Sequence, residues 1–259
     1  MARHRGGEWL VRIEDLDPPR EVPAMAELHV AALACFGMVS DHPVIRQSER
    51  GDLYASALER LREQGKAFAC HCSRTDLAES GGIHLGCVAH RSGTTPSWRL
   101  RVGEEVIDFA DRIRGRHGQS LRESCGDFVL RRSDGHWAYQ LAVVVDDDEQ
   151  GITEVVRGAD LIESTERQIQ LQRWLGLATP SYVHLPTVLG ADGNKLSKSL
   201  ASAPVDPRDP LPALRTVWTL LGQDARVLAG APSVATALAL ALTSFDPERI
   251  PATDVTMTM

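Results

Sequence analysis

No stretch of the chain approaches the roughly 20 consecutive apolar residues that cross a bilayer as a helix. The first residues, Met1-Ala2-Arg3-His4-Arg5-Gly6-Gly7, lead into a charged segment and not into the apolar centre of a secretion signal. No membrane partner is expected, and the location predicted is cytoplasmic. Cysteine is sparse: Cys35, Cys70, Cys72, Cys87 and Cys125 make an odd number, three of them crowded together. That pattern argues against a disulfide framework and for a metal site. Positive charge is in deficit, 28 Lys and Arg against 35 Asp and Glu, for a net charge of -7. Such a field repels a polyanion at long range, so nucleic-acid binding needs a local basic patch. One candidate runs from Arg99 and Arg101 through Arg112, Arg114, Arg116 and His117 to Arg131 and Arg132; an ordinary solvated face is the alternative. What is present is ordinary: 43% hydrophobic and 24% charged over 259 residues, enough for a substantial globular core.

Trp9 to Ile13 reads as a strand broken by Glu14-Asp15-Leu16-Asp17-Pro18-Pro19-Arg20. Apolar residues then recur at helical spacing from Val22 to Phe36 and from Leu53 to Leu61, with Gly65 as a stop. Residues 67 to 97 hold three cysteines and three histidines with little periodicity and read as an insertion. Asp127 to Arg132 and the segment from Trp137 flank Ser133-Asp134-Gly135-His136, whose Asp-Gly pair predicts a hairpin. Gln140 to Val145 is too short an apolar run to separate strand from buried helix. Glu154 to Arg157 and Tyr182 to Leu185 read as strands, Leu161 to Leu175 as a helix, Gly190 to Asn194 as a loop, and the chain beyond Pro210 as helices. Strands alternating with helices imply an α/β fold with a parallel sheet.

Lys195-Leu196-Ser197-Lys198-Ser199 places two ammonium groups and two hydroxyls on a loop after two glycines. Lysine, a compact charge on a long stem, suits the phosphate oxygens on which charge develops during nucleotide chemistry. This loop resembles the KMSKS signature of class I aminoacyl-tRNA synthetases. Arg12 to Arg20, Tyr139 to Asp147 and Val156 to Leu161 resemble three further segments of the glutamate-activating members, in the same order along the chain. The closest likeness is to shortened paralogues that pass glutamate to queuosine in the anticodon loop of tRNA(Asp), because too few residues follow Ser199 for an anticodon-binding module.

The resemblance implies a Rossmann-type parallel sheet over 1–66 and 124–205, a zinc-knuckle insertion over 67–123, and a helical part over 206–259. It implies that Glu14, Tyr139 and Arg157 contact glutamate, that Lys195, Ser197 and Lys198 bind ATP, with Lys198 and Lys195 catalytic, and that magnesium accompanies ATP. Read singly, Arg157 could instead pair with Asp160, Tyr139 could be core, and Glu14 could cap a helix. Cys70, Cys72 and Cys87 resemble ligands of the family's structural zinc. Ile83 stands where the family has a tyrosine, and His84, next to it, is the expected substitute, with His71 and His90 as alternatives. The family's first strand and its HIGH helix have no counterpart, so the expectation is that Met1 is an internal methionine or that the gene is decayed. The function implied is activation of glutamate to glutamyl-adenylate and its transfer to tRNA(Asp) bearing queuosine, by a monomer. A truncated glutamyl-tRNA synthetase charging tRNA(Glu) and a non-catalytic RNA-binding remnant are the alternatives.

Overall fold

In the computed structural model, which describes residues 1–22, 24–196 and 205–257, a 3-10 turn at Arg3–Arg5 precedes a strand shorter than the expected Trp9–Ile13. Only β1 (Arg12–Ile13) pairs, in parallel with β2 (Ile45–Arg46). The expected break follows, with Pro18 and Pro19 opening a single 3-10 turn. Helix α1 (Met25–Cys35) forms where the spacing predicts one, yet none of its residues is buried. Helix α2 (Gly51–Glu63) is the amphipathic element: Tyr54, Ala57, Leu58 and Leu61 repeat at i, i+3, i+4 and i+7, and all four are buried. Each large apolar side chain among them contributes about 1.5–3 kcal/mol by leaving water.

Five strands follow: β3 (Ala67–Cys70), β4 (Ser97–Leu100), β5 (Val106–Asp111), β6 (Gly115–Ser120) and β7 (Phe128–Arg131), with one turn of helix, α3 (Leu121–Ser124), before the last. Strands β3, β4 and β7 make an antiparallel sheet in that order. Strands β5 and β6 form a hairpin that the sequence does not announce. The hairpin predicted at Asp134-Gly135 is present, with Arg132 N donating to His136 O at 2.8 Å and Ala138 N to Leu130 O at 2.9 Å. Its return arm is a single bridge at Trp137, because α4 (Tyr139–Glu149) begins two residues later. Gln140 to Val145 is therefore helix.

Strand β8 (Glu154–Gly158), a 3-10 stretch over Ala159–Ser164, helix α5 (Thr165–Leu175) and β9 (Ser181–Leu185) complete the central layer. The second sheet runs β6-β5-β9-β8, parallel at β5/β9 and β9/β8 and antiparallel at the hairpin. The sheet expected to be parallel is thus mixed within an α/β fold. The main core lies between it, α2, α4 and α5, around Tyr54, Leu61, Leu100, Ile107, Leu130, Leu141, Leu171 and Tyr182. Strand β10 (Val188–Leu189) follows. Helices α6 (Pro210–Leu220), α7 (Arg226–Ala229) and α8 (Val234–Ser244) then gather around Trp218, and β11 (Val255–Thr256) returns to pair with β10 in parallel. No described helix is long and apolar enough to cross a membrane.

A buried carboxylate ties the start of the chain to this core. Asp146 of α4, fully buried, accepts from Gln47 Nε2 at 2.8 Å, Arg50 Nε at 2.7 Å and the Tyr54 hydroxyl at 2.8 Å. Its neighbour Asp147 takes Arg12 Nη2 at 2.7 Å, which anchors β1 against α4. A buried charge persists only with such partners.

Candidate active site and metal centre

Arg157 leaves the end of β8 opposite His184 of β9, and its donors are spoken for on three sides. Nε donates to His184 Nε2 at 3.0 Å, Nη1 to Gln168 Oε1 at 2.8 Å, and Nη2 to Thr165 Oγ1 at 2.8 Å. The Tyr139 hydroxyl stands 3.5 Å from Nη1, and the guanidinium lies 5.4 Å over the Tyr182 ring. Every one of these acceptors is neutral. The alternative pairing with Asp160 is not made; Lys195 Nζ takes Asp160 instead, at 2.6 Å. Helix α5 is polar where this site needs it, since buried Gln168 faces Arg157 and also donates to Gln140 Oε1 at 3.0 Å.

Tyr139 opens α4 and packs against the main core, so its structural role and its placement beside Arg157 coexist. Burial raises its phenol against the pull of Arg157, with Glu14 adding to the rise, and the hydroxyl keeps its proton. Glu14 follows β1 and caps no helix. Its carboxyl is raised, first by loss of hydration and then by Asp147 and Asp146, while Arg12 at 3.8 Å and Arg157 oppose the shift. Glu14, Tyr139 and Arg157 are therefore within electrostatic reach of one another. Lys195 is held in a surface pair with Asp160, a carboxylate that also feels Arg157, and Ser197 and Lys198 lie outside the described residues.

Behind Arg157 stand two residues the sequence reading missed. His184, fully buried, has Nδ1 2.7 Å from Asp111 Oδ2. Asp111 also accepts from the backbone N–H groups of Ile113 at 2.9 Å, Arg114 at 2.8 Å and His184 at 3.0 Å. Burial works against the Asp111 carboxylate, but these donors hold its pKa below the usual range. Burial likewise lowers His184 despite Asp111, so the ring stays neutral.

Cys70, Cys72, His84 and Cys87 bring their ligand atoms within 4.8 Å of one another. Cys70 ends β3, and His84 is held by a bridge to Gly126. His84 Nε2 is 3.3 Å from Cys70 Sγ, while Nδ1 is 3.1 Å from Asp127 Oδ2. A carboxylate behind an imidazole in this way orients a metal ligand. His71 bonds Thr94 Oγ1 at 3.0 Å instead, and His90 lies outside the cluster. Burial and the neighbouring thiols push Cys87 up to about 11, a crowding of like charges that a divalent cation would relieve. Burial also opposes ionisation of Cys72, but the backbone N–H groups of Ala89 and Val88, Cys70 and Arg99 bring it low. Arg99 adds a second sign. It is buried, its Nη atoms reach only the carbonyls of Asp127 at 2.8 Å and Cys72 at 3.4 Å, and its Nε has no partner. An unpaired buried cation fits beside a centre of three thiolates and one neutral imidazole, which keeps net negative charge on a divalent ion. The donor set suits tetrahedral zinc.

The candidate basic patch is divided between the two sheets. Arg112 meets Glu154 at 3.0 Å, Arg114 Asp254 at 2.5 Å, Arg116 Asp108 at 3.2 Å and Arg132 Asp17 at 3.3 Å, while Arg101 and Arg131 lie over Phe68 and Trp137.

A family model described as the catalytic domain of class I tRNA synthetases (E and Q) matches residues 1–91 and 88–208. A glutamyl-Q tRNA(Asp) synthetase of Xanthomonas campestris is 55% identical over 252 residues, 97% of this chain and 84% of that protein. One from Burkholderia cenocepacia is 49% identical over 237 residues, 85% of this chain and 79% of that protein. Among solved structures, a glutamate-tRNA synthetase from Elizabethkingia anophelis superposes with a TM-score of 0.79 at 24% identity. A glutamate tRNA ligase from Elizabethkingia meningosepticum, solved with its amino acid, gives 0.78 at 23%. Each match covers 99% of this chain and 62% of the solved one, so the chain spans less than two thirds of those structures, and the likeness speaks for the fold alone. With most of its length matched by the family model, the chain belongs to the class I aminoacyl-tRNA synthetases, in the catalytic-domain family of the E and Q enzymes.

Proposed function

We propose that the chain joins glutamate to ATP as glutamyl-adenylate and then passes the glutamyl group to queuosine in the anticodon loop of tRNA(Asp). The observation that carries the first half is the partly buried Arg157 guanidinium, surrounded by neutral acceptors with the Tyr139 hydroxyl 3.5 Å away and Glu14 within electrostatic reach. A half-buried cation without a carboxylate of its own favours an anionic ligand, and a guanidinium meets a carboxylate through paired hydrogen bonds. Glu14 supplies the opposite charge for the substrate ammonium, and the Tyr139 hydroxyl orients either group.

In the reaction the α-carboxylate oxygen attacks the α-phosphorus of ATP, and pyrophosphate leaves with the bond it gives up. Lys195, Ser197 and Lys198 are assigned to the phosphates by resemblance, Lys195 exchanging Asp160 for a phosphate oxygen. Magnesium bound with ATP would neutralise phosphate charge. The Cys70, Cys72, His84 and Cys87 centre, holding zinc, would be structural. The acceptor rests on the names of the relatives.

Glutamate-dependent exchange between ATP and pyrophosphate tests the activation step, and labelled glutamate tests the transfer. Exchange without tRNA, followed by label on tRNA(Asp) bearing queuosine and none on tRNA(Asp) lacking it, is the result expected. Label on unmodified tRNA(Glu) would point to a glutamyl-tRNA synthetase, and failure of exchange to a protein that only binds RNA.

A further inference from the structure

We infer that Asp111 and His184 are positioning residues for the proposed glutamate site, holding Arg157 through one fixed imidazole tautomer. The inference rests on the reading of Arg157 as the carboxylate partner. Three adjacent strands set the geometry. Asp111 ends β5 opposite Tyr182 of β9, and His184, two residues further and so on the same face, lies directly opposite Arg157 of β8. Asp111, His184 and Arg157 thus run in line across the parallel part of the sheet. The Tyr182 ring stacks on His184 at 6.1 Å and 13° and lies 5.4 Å beneath the guanidinium, so one aromatic face backs both His184 and Arg157.

The hydrogen bonds permit one protonation pattern. Asp111 accepts four N–H bonds, two on each oxygen, and an ionised carboxylate can only accept. His184 Nδ1 must therefore carry the proton, which leaves Nε2 bare toward Arg157 Nε at 3.0 Å. The consequence concerns charge as well as position. A carboxylate placed directly on Arg157 would compete with the substrate for it. An intervening neutral imidazole gives Nε a strong acceptor, keeps the negative charge one residue back, and leaves the cation available.

In Asp111→Asn the amide nitrogen brings donors to a place where only acceptors fit. The imidazole then gains by moving its proton to Nε2, where it opposes the N–H of Arg157. Calorimetric titration of glutamate into the whole chain should show affinity weakened about tenfold, the loss of one hydrogen bond to a charged group, with ATP affinity unchanged. His184→Gln, which restores an acceptor, should keep more glutamate affinity than His184→Leu. A merely structural role would weaken both ligands together and show no such rescue. Nitrogen-15 spectra of the unsubstituted protein read the tautomer directly, whether or not the variants fold. A protonated Nδ1 with bare Nε2 is expected, and a protonated Nε2 overturns the inference. Should glutamate fail to bind the unsubstituted protein, the reading of the site falls, and the spectrum still decides the tautomer. Equal glutamate affinity in Asp111→Asn and the unsubstituted protein would overturn the positioning role alone.

Discussion

At the scale of single residues, Arg157 is the test of the site. Arg157→Lys keeps the charge but replaces a fork held by His184, Gln168 and Thr165 with one ammonium on a flexible stem. Glutamate affinity should fall by roughly 1.5–3 kcal/mol, about 10- to 150-fold, as read by calorimetry; a change within twofold would remove Arg157 from the site. The pH response follows from the residues behind it. Among Asp111, Arg157 and His117, burial lowers His184 from 6.5. Above about 6.5 the ring is neutral folded and unfolded alike. As pH falls below that, the unfolded chain takes up a proton that the folded one refuses, and stability drops until the folded value is passed. Asp111, lowered from 3.8, costs stability only at more acid pH. Urea unfolding midpoints should therefore fall between about pH 7.5 and pH 5.5 by less in His184→Gln than in the unsubstituted chain; an identical decline would show that His184 is not protected. Arg157 and Tyr139 could be picked from sequence because they sit in motif-like strings, whereas His184 reads there only as one position of an apolar strand. Asp111 could not be chosen at all, because its partners come from a hairpin turn and a strand 73 residues away.

At the scale of elements, α2 is legible because burial on one face imposes a period, whereas β8 and β9 read from short β-branched and aromatic runs. The β5–β6 hairpin is not legible, since β6 is polar throughout, takes its place as an edge strand by backbone pairing, and buries no side chain fully. Helix α4 is ambiguous because its apolar residues 141–145 form one continuous run, a pattern that a strand and a buried helix share. The clustering of the knuckle's cysteines is legible in the sequence, but the element that holds His84 beside them is the turn at Gly126. There φ is 63°, and a Cβ would meet His84 O at 2.3 Å and His84 N at 2.6 Å. Gly126→Ala must therefore displace the backbone of His84, one of the four candidate metal ligands. At Gly135, φ 94°, a Cβ meets nothing within 4 Å. Gly135→Ala should cost about 1 kcal/mol, the left-handed backbone alone, whereas Gly126→Ala should cost about 2–4 kcal/mol and release zinc to a competing chelator more readily. Equal losses in the two variants, with equal zinc retention, would show that the turn does not support the cluster.

At the scale of the whole molecule, stability is unevenly shared. The main core draws on α2, α4, α5 and the strands of both sheets, and the C-terminal helices close on their own cluster around Trp218. The apolar burial of the knuckle is limited to Cys70, Cys72 and Leu77, with Phe68 and Ala89 packed beside them and His84 fully buried next to Cys70. Between β3 and β4 its backbone forms one 3-10 turn and no strand. So little apolar burial offsets only part of the entropy of ordering that loop, at about 1–2 kcal/mol per residue; hydrogen bonds such as those of Asp76 with Ser73 and Arg91 add to it, and a metal held by the four candidate ligands would supply the rest. Removing zinc should then open residues 71–96 as a local event while the main core persists. Hydrogen exchange before and after chelation checks this: amides of the knuckle should lose protection, together with Asp127, whose N–H bonds His84 O at 2.8 Å. Amides of α5 and β9 should not change, because their partners lie within the core. Unchanged knuckle protection would mean that its own hydrogen bonds suffice. Loss of protection throughout would mean that the metal centre and the main core unfold as one unit.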